Sequence, residues 1–136
     1  MLNEPVWVTP EGVVELNQNL LAEGERHIVR DLALLESACA RVKNLWLYES
    51  QDDVAVLATC LLFAITRNHP FEQGNKRTAF AAMRGFLLAN GFNLVLTDDV
   101  ACADSILAVL VGEETEEQFV ESLKAVIVRD DLREWR

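Results

Sequence analysis

The sequence predicts an all-α fold, a compact bundle of five to six helices with at most a short strand pair or flap. Apolar residues recur at helical spacing in most segments, and residues typical of helix starts and stops separate those segments. Glycine and proline are sparse, with 6 and 3 copies in 136 residues. Hydrophobic residues make up 51% of the chain, which is enough for one buried core. Residues 1–136 are therefore predicted to form a single domain.

The first two helices are predicted from their boundary residues. Thr9 is suited to an N-cap with a proline directly after it, and Gly24 follows the apolar stripe as a stop. A second helix is predicted to begin near Asp31. Its apolar period breaks over residues 43–50, where Leu45–Tyr48 are all large and apolar or aromatic. That run predicts either a strand-like flap or a core-packing loop, and periodicity does not choose between them.

The second half of the chain contains the most apolar segment. Val54–Asn68 is apolar nearly all round and is predicted to be the central buried helix. A further helix is predicted over residues 78–89, and a brief strand is compatible with residues 93–96. Another helix is predicted over residues 97–111. The last one begins at Thr115, where the Thr-x-x-Gln spacing indicates a capping box.

Charge and composition exclude several classes of protein. Twelve basic residues against 22 acidic ones give a net charge of −10, so nonspecific binding to nucleic acid or to an anionic membrane is disfavoured by repulsion. The N-terminus lacks the basic and apolar layout of a signal peptide. The longest apolar run, Val54–Ile65, is about half of the ~20 residues that a bilayer span needs. These observations predict a soluble, cytoplasmic protein.

The stretch His69-Pro70-Phe71-Glu72-Gln73-Gly74-Asn75-Lys76-Arg77 breaks a local rule of helix formation. Helix starts favour acidic residues by about 0.3–1 kcal/mol each, yet Lys76 and Arg77 lie where a helix is predicted to begin. Unpaired backbone N–H groups, the permissive Gly74 and two cations converge there, which indicates an anion-binding site. His69 lies in the same loop, and an imidazole can take a proton from an attacking hydroxyl at neutral pH.

The nonapeptide resembles the signature of the Fic/Doc superfamily, H-P-F-x-[D/E]-G-N-[G/K]-R. Lys76 and the small size of the chain are similar to the Doc (death-on-curing) branch. The segment Arg30–Ala38 resembles one that is common in Doc-like toxins, as do the pair Asn68-His69 at the end of an apolar helix and Gly91 after the next one. The resemblance spans roughly residues 5–125.

This resemblance implies that a phosphate-containing group is transferred from a nucleotide to a hydroxyl of a target protein. Fic enzymes mostly transfer AMP from ATP. Doc-like toxins transfer the γ-phosphoryl group, with bacterial elongation factor Tu as a target and growth arrest as the outcome. The resemblance also implies a type II toxin–antitoxin system. Its antitoxin would act in trans and lay a disordered, helix-forming tail along the toxin.

The self-inhibitory motif of many Fic proteins, [S/T]-x-x-x-E-[G/N], does not fit this chain. Trp7 and Asn19 stand four residues before Glu11-Gly12 and Glu23-Gly24, where the motif needs serine or threonine. The absence of this motif strengthens the expectation of an antitoxin.

The resemblance assigns roles to residues of the motif. The catalytic candidates are His69, Asn75, Lys76 and Arg77, and the candidates for binding ATP are Arg67, Gln73, Gly74, Asn75, Lys76 and Arg77. Arg77 can clamp two phosphate oxygens at once, and Lys76 adds a point charge. A lysine in place of glycine takes up room beside the backbone and alters how a triphosphate lies. This favours phosphoryl transfer over adenylyl transfer.

Gln73 departs from the family pattern, which has an acidic residue two positions before Asn75. In the family that acid holds Mg²⁺. A glutamine carbonyl carries no charge, and magnesium sites usually use one or two carboxylates together with phosphates and waters. Magnesium binding therefore stays open. So does an alternative function in which a catalytically impaired Fic/Doc fold acts as a binding or regulatory module.

Overall fold

The computed structural model describes residues 3–95 and 99–129 and contains six helices and one short strand pair within them. The helices are α1 (Pro10–Leu20), α2 (Leu32–Glu49), α3 (Val54–Asn68), α4 (Asn75–Ala89), α5 (Asp99–Leu110) and α6 (Glu116–Lys124). Strands β1 (Phe92–Leu94) and β2 (Ile127–Arg129) are antiparallel, with Asn93 opposite Val128. The predicted all-α class is confirmed.

Helix α3 is the centre of the bundle. Eleven of its 15 residues are buried, and it packs against α2, α4 and α6. The Phe63 ring meets the Phe119 ring of α6 edge-on, with centroids 5.2 Å apart. The prediction of a central buried helix is thus confirmed. None of the helices in residues 3–95 and 99–129 has the length and apolar character needed to cross a bilayer.

The helix starts that the sequence predicts are present. The Thr9 side chain accepts from the Gly12 N–H at 3.1 Å. Thr115 and Gln118 form the reciprocal capping box of α6. At the start of α3 the Asp53 carboxylate accepts from the Ala55 N–H at 2.9 Å and pairs with Lys124 of α6 at 2.9 Å. The helix predicted over residues 97–111 is α5, and residues 96–98 lie outside the described part of the chain.

The prediction of a flap or loop over residues 43–50 is wrong, because α2 continues to Glu49. The four large residues there occupy successive faces of the helix. Trp46 turns inward and meets Trp7 edge-on at 6.0 Å, whereas Leu47 and Tyr48 remain 49% and 81% exposed. The apolar run therefore combines residues on the buried side of α2 with apolar residues that remain exposed. The sequence pattern alone does not distinguish the two.

The segment 25–31 between α1 and α2, which we call the strap, lies along the motif loop. Val29 forms an isolated antiparallel bridge with Phe71. The Arg30 N–H donates to the Pro70 carbonyl at 2.8 Å, and the Glu72 N–H donates to the Ile28 carbonyl at 3.0 Å. The strap thereby holds the loop between α3 and α4 from one side.

Candidate active site

The motif loop begins with a left-handed residue that ends α3. His69 has φ 50° and ψ 54°, and its N–H donates to the Ile65 carbonyl at 3.1 Å. A positive φ is unfavourable for a residue with a Cβ. The conformation is supported by Phe71, which is fully buried beside the strap. This anchor leaves the His69 side chain exposed at the edge of the loop.

Gly74 is the N-cap of α4, and both its conformation and its surroundings require glycine. Its φ is +78°, and no side chain of the described residues caps the helix start. A Cβ at this position would lie 3.2 Å from Asn17 Nδ2 and 3.4 Å from Leu21 Cδ2. Within the described residues, the first backbone N–H groups of α4 consequently have no capping side chain, an arrangement that is typical of anion-binding helix starts.

A cleft of about 460 Å³ lies over this helix start. It brings together most of the residues that the motif predicts, and its lining consists of Thr66, His69, Glu72, Gln73, Gly74, Asn75, Lys76, Arg77 and Leu110. His69, Lys76 and Arg77 are exposed to solvent in the cleft, whereas Asn75 is only 5% exposed. A proton acceptor, a helix N-terminus and two cations therefore share one concave surface.

Asn75 orients both the loop and the His69 ring. Its Oδ1 accepts from the Phe71 N–H at 3.0 Å, and its Nδ2 donates to the Phe71 carbonyl at 2.8 Å. The backbone thus fixes which end of the amide faces His69. Asn75 Nδ2 lies 3.2 Å from His69 Nδ1, so Nδ1 is an acceptor and the neutral ring carries its proton on Nε2.

Arg77 already binds an anion of its own chain. Its Nη2 lies 2.7 Å from both carboxylate oxygens of Glu25, and its Nη1 donates to the Leu20 carbonyl at 2.7 Å. The hydrogen bond from Arg77 is the main cause that lowers the pKa of Glu25, followed by the N–H of Ala22. Lys76 differs, since no carboxylate in residues 3–95 or 102–129 forms an ion pair with it.

Arg67 is the predicted site residue that the cleft does not include. Its Nη1 pairs with the Glu116 carboxylate on α6, and its guanidinium lies over the Phe63 ring at 5.1 Å from the centroid. A phosphate contact by Arg67 stays a prediction, and it would require this pair to open.

Asn17 is a positioning residue that the sequence analysis missed. It is 1% exposed on α1, and its Nδ2 donates to the Gln73 carbonyl at 2.9 Å and to Thr78 Oγ1 at 3.0 Å. Its Oδ1 lies 2.8 Å from His27 Nδ1 in the strap. A signal existed, because Asn17 stands four residues after Val13 and so falls on the apolar stripe of α1. The role of Glu25 as the partner of Arg77 has no such signal in the sequence.

The residues around Gln73 do not form a magnesium site by themselves. The Gln73 Oε1 accepts from the Arg26 N–H at 2.8 Å and is thereby engaged with the strap. Glu72 supplies the one carboxylate among the cleft residues. The described residues include no cluster of three or more His, Cys, Asp or Glu side chains that could hold a metal. Together with donor phosphates and waters, Glu72 is the one carboxylate of the described cleft that could hold Mg²⁺, whereas Gln73 Oε1 is already engaged with the Arg26 N–H.

Two comparisons with known proteins agree with this geometry. A family model described as the Fic/DOC family matches residues 7–87. The chain is also similar to Toxin Doc from Mycolicibacterium smegmatis (strain ATCC 700084 / mc(2)155), with 36% identity over 93 residues that cover 68% of this chain and 72% of the toxin. The match to the family model includes α1, the strap and the whole motif.

Proposed function

The chain belongs to the Fic/DOC family, and from this membership we propose that it is a Doc-like toxin. In this proposal it transfers a phosphoryl group from a nucleoside triphosphate to a hydroxyl of a target protein, such as elongation factor Tu, and so arrests growth. The observation that carries the proposal is the convergence of His69, the uncapped start of α4 and Lys76 on one cleft.

The donor phosphates bind at the start of α4. The N–H groups that follow Gly74 face the cleft without a capping side chain, and the Lys76 ammonium adds positive charge. Arg77 joins this site when a phosphate oxygen replaces Glu25 on its guanidinium. Phosphoryl transfer depends mainly on positioning and on neutralising charge, and this arrangement provides both.

The acceptor hydroxyl is activated by His69. Its Nδ1 lone pair has Asn75 Nδ2 as a resting partner at 3.2 Å, a long contact that an incoming hydroxyl displaces. The hydroxyl oxygen forms a bond to the γ-phosphorus as its proton moves to Nδ1. The bond from the γ-phosphorus to the bridging oxygen breaks, and a nucleoside diphosphate leaves.

A second candidate function is a catalytically impaired binding or regulatory module. The observation that favours it is Gln73, which stands at the acidic position of the family and whose side-chain oxygen is engaged with the Arg26 N–H. Adenylyl transfer to the target protein is the alternative to phosphoryl transfer, and the bulk of Lys76 beside the backbone argues against it.

The similarity to Toxin Doc supports an antitoxin partner that acts in trans. We place this pair in the cytoplasm, with a nucleotide and a protein as the ligands of the toxin. Nucleic acid and membrane are not expected partners at a net charge of −10.

Incubation with a bacterial lysate and ATP labelled at either the α or the γ position tests these alternatives. Transfer of label from the γ position alone supports the proposal, and transfer from the α position indicates adenylyl transfer. If no label is transferred from either position with any divalent metal, the binding or regulatory module is the remaining candidate. His69→Ala should abolish both label transfer and growth arrest, and Lys76→Ala should weaken them strongly. Lys43→Ala, at an exposed position on α2, is the matched control and should retain both.

A further inference from the structure

A second pocket, of about 430 Å³, is lined by residues of α2, α3 and α6. The described residues that line it are all different from those of the cleft over α4. We propose that this pocket binds a small zwitterion with a carboxylate, an ammonium group and an apolar side chain, as a free apolar amino acid has. The site is independent of the proposed function, because no group of the cleft takes part in it.

The buried hydroxyl of Thr59 is the observation that points to a ligand. Thr59 lines the pocket and is 2% exposed, and its Oγ1 has no hydrogen-bond partner within the described part of the chain. Thr66, later in the same helix, shows the ordinary arrangement, since its hydroxyl donates to the Leu62 carbonyl at 2.7 Å. Because a buried hydroxyl without a partner is costly, a polar group of a bound ligand would satisfy a need that the fold leaves open.

Two charges of opposite sign line the pocket from α2 and α6. Within residues 3–95 and 102–129, neither Arg41 nor Glu117 forms an ion pair, whereas the other two glutamates of the pocket, Glu116 and Glu121, have basic partners. Burial raises the pKa of the Cys60 thiol in the pocket, the charge of Arg41 opposes that rise, and Glu116 adds to it. Both signs of charge therefore act on the same buried floor.

This pairing of charges favours a zwitterion over a simple cation or anion. Acidic residues are common in the first turn of a helix because they complement its dipole, so Glu117 alone does not indicate a ligand. Arg41 on the opposite wall and the Thr59 hydroxyl on the floor add the other two contacts. A ligand carboxylate can bind the guanidinium in two parallel hydrogen bonds while the ammonium group pairs with Glu117.

The remaining walls suit an aliphatic side chain. They consist of Leu45 and Val56, which are half-buried, and Val120, which is 8% exposed. The volume falls within the ~300–1,000 Å³ that is typical of small-molecule sites. Apolar walls below a charged rim distinguish an apolar amino acid from a polar one.

Titration calorimetry of the whole chain with leucine, isoleucine, valine and methionine tests the site. Each amino acid is compared with the amine that lacks its carboxylate and with the acid that lacks its ammonium group, which for leucine are isoamylamine and isocaproate. We expect at least one amino acid to bind with a millimolar or lower Kd, and at least fivefold more tightly than both of its matched probes. A smaller difference, or no binding of any of the four at millimolar concentrations, overturns the proposal.

Substitution of the two unpaired charges locates the binding. Arg41→Gln and Glu117→Gln change exposed side chains and should each weaken amino-acid binding at least fivefold. Lys43→Gln on α2 and Glu113→Gln before α6 are the matched controls outside the pocket, and both should bind within twofold of the unmodified chain. Unchanged binding in Arg41→Gln and Glu117→Gln would place the ligand elsewhere and overturn the site.

Thr59→Val separates a role in binding from a role in folding. It removes the unpaired hydroxyl and nearly keeps the shape of the side chain, so the Tm of the ligand-free chain should rise by about 2–5 °C. The same variant should bind the amino acid at least threefold more weakly. A lower Tm together with unchanged binding would mean that the hydroxyl serves the fold alone, and the proposal would be wrong.

Discussion

Nη2 of Arg77 lies 2.7 Å from both carboxylate oxygens of Glu25, so the arginine of the motif is neutralised by the strap. A phosphate that is to bind Arg77 must displace this carboxylate. Glu25→Gln should therefore strengthen binding of inorganic triphosphate by about three- to tenfold, since the competing charge is removed and charge-assisted hydrogen bonds are the stronger kind. Titration calorimetry at neutral pH measures the change.

The matched control is Glu23→Gln, an exposed position just before the strap, which should bind triphosphate as the unmodified chain does. The pH dependence follows from the lowered pKa of Glu25. Above the ordinary carboxyl pKa of 4.5, Glu25 keeps its charge and its full contact with Arg77. The contact is lost only as pH falls through the lowered pKa of Glu25. The advantage of Glu25→Gln should accordingly shrink in that acidic range. Weaker triphosphate binding by Glu25→Gln at neutral pH would show that Glu25 supports the site instead of competing for it.

Replacing glycine with alanine should change the free energy of unfolding in opposite directions at Gly74 and Gly85. Gly74→Ala places a Cβ at a φ of +78° and within 3.2 Å of Asn17 Nδ2, and we expect it to lower the free energy of unfolding by about 1–2 kcal/mol or more. Gly85→Ala adds a Cβ inside α4 with nothing within 4 Å, and should raise it by about 0.5–1 kcal/mol. Urea unfolding followed by circular dichroism measures both. Equal effects of the two substitutions would contradict the left-handed N-cap.

Asn17 ties α1 to the motif loop, so its loss should affect both stability and binding. Asn17→Leu keeps the branching of the side chain but leaves the buried Thr78 hydroxyl and the Gln73 carbonyl without their donor. We expect a loss of about 2–4 kcal/mol in the free energy of unfolding. Triphosphate binding by the folded fraction should weaken at least fivefold, because the turn at Gly74 loses its support. Asn19→Leu, exposed on the same helix, is the control, and unchanged binding in Asn17→Leu would remove Asn17 from the positioning of the loop.

The parts of this fold that could be predicted from sequence are those whose causes lie close together in the chain. The caps at Thr9 and Thr115 depend on residues three positions away, and the cleft residues His69 to Arg77 form one short segment. The end of α2 could not be placed, since the inward face of Trp46 is set by distant Trp7. The partner of Arg77 could not be found either, because Glu25 lies 52 positions from it.

The ion pair between Asp53 and Lys124 should make the stability of the bundle depend on pH. Burial opposes the charge of Asp53, but hydrogen bonds from Lys124 and from the Ala55 N–H outweigh burial and lower the pKa of Asp53. Its contribution is therefore present above the ordinary value of 3.8 and is lost as pH falls through the lowered value. Asp53→Asn keeps an N-cap for α3 but loses the pair, and should lower Tm at neutral pH by about 2–5 °C. Thermal unfolding from neutral pH to about pH 2.5 should show this difference fading below the ordinary Asp value. The control is Asp52→Asn, at the exposed neighbouring position, and it should show no such convergence.

If the difference in Tm between Asp53→Asn and the unmodified chain stayed constant with pH, the charge of Asp53 would not join α3 to α6.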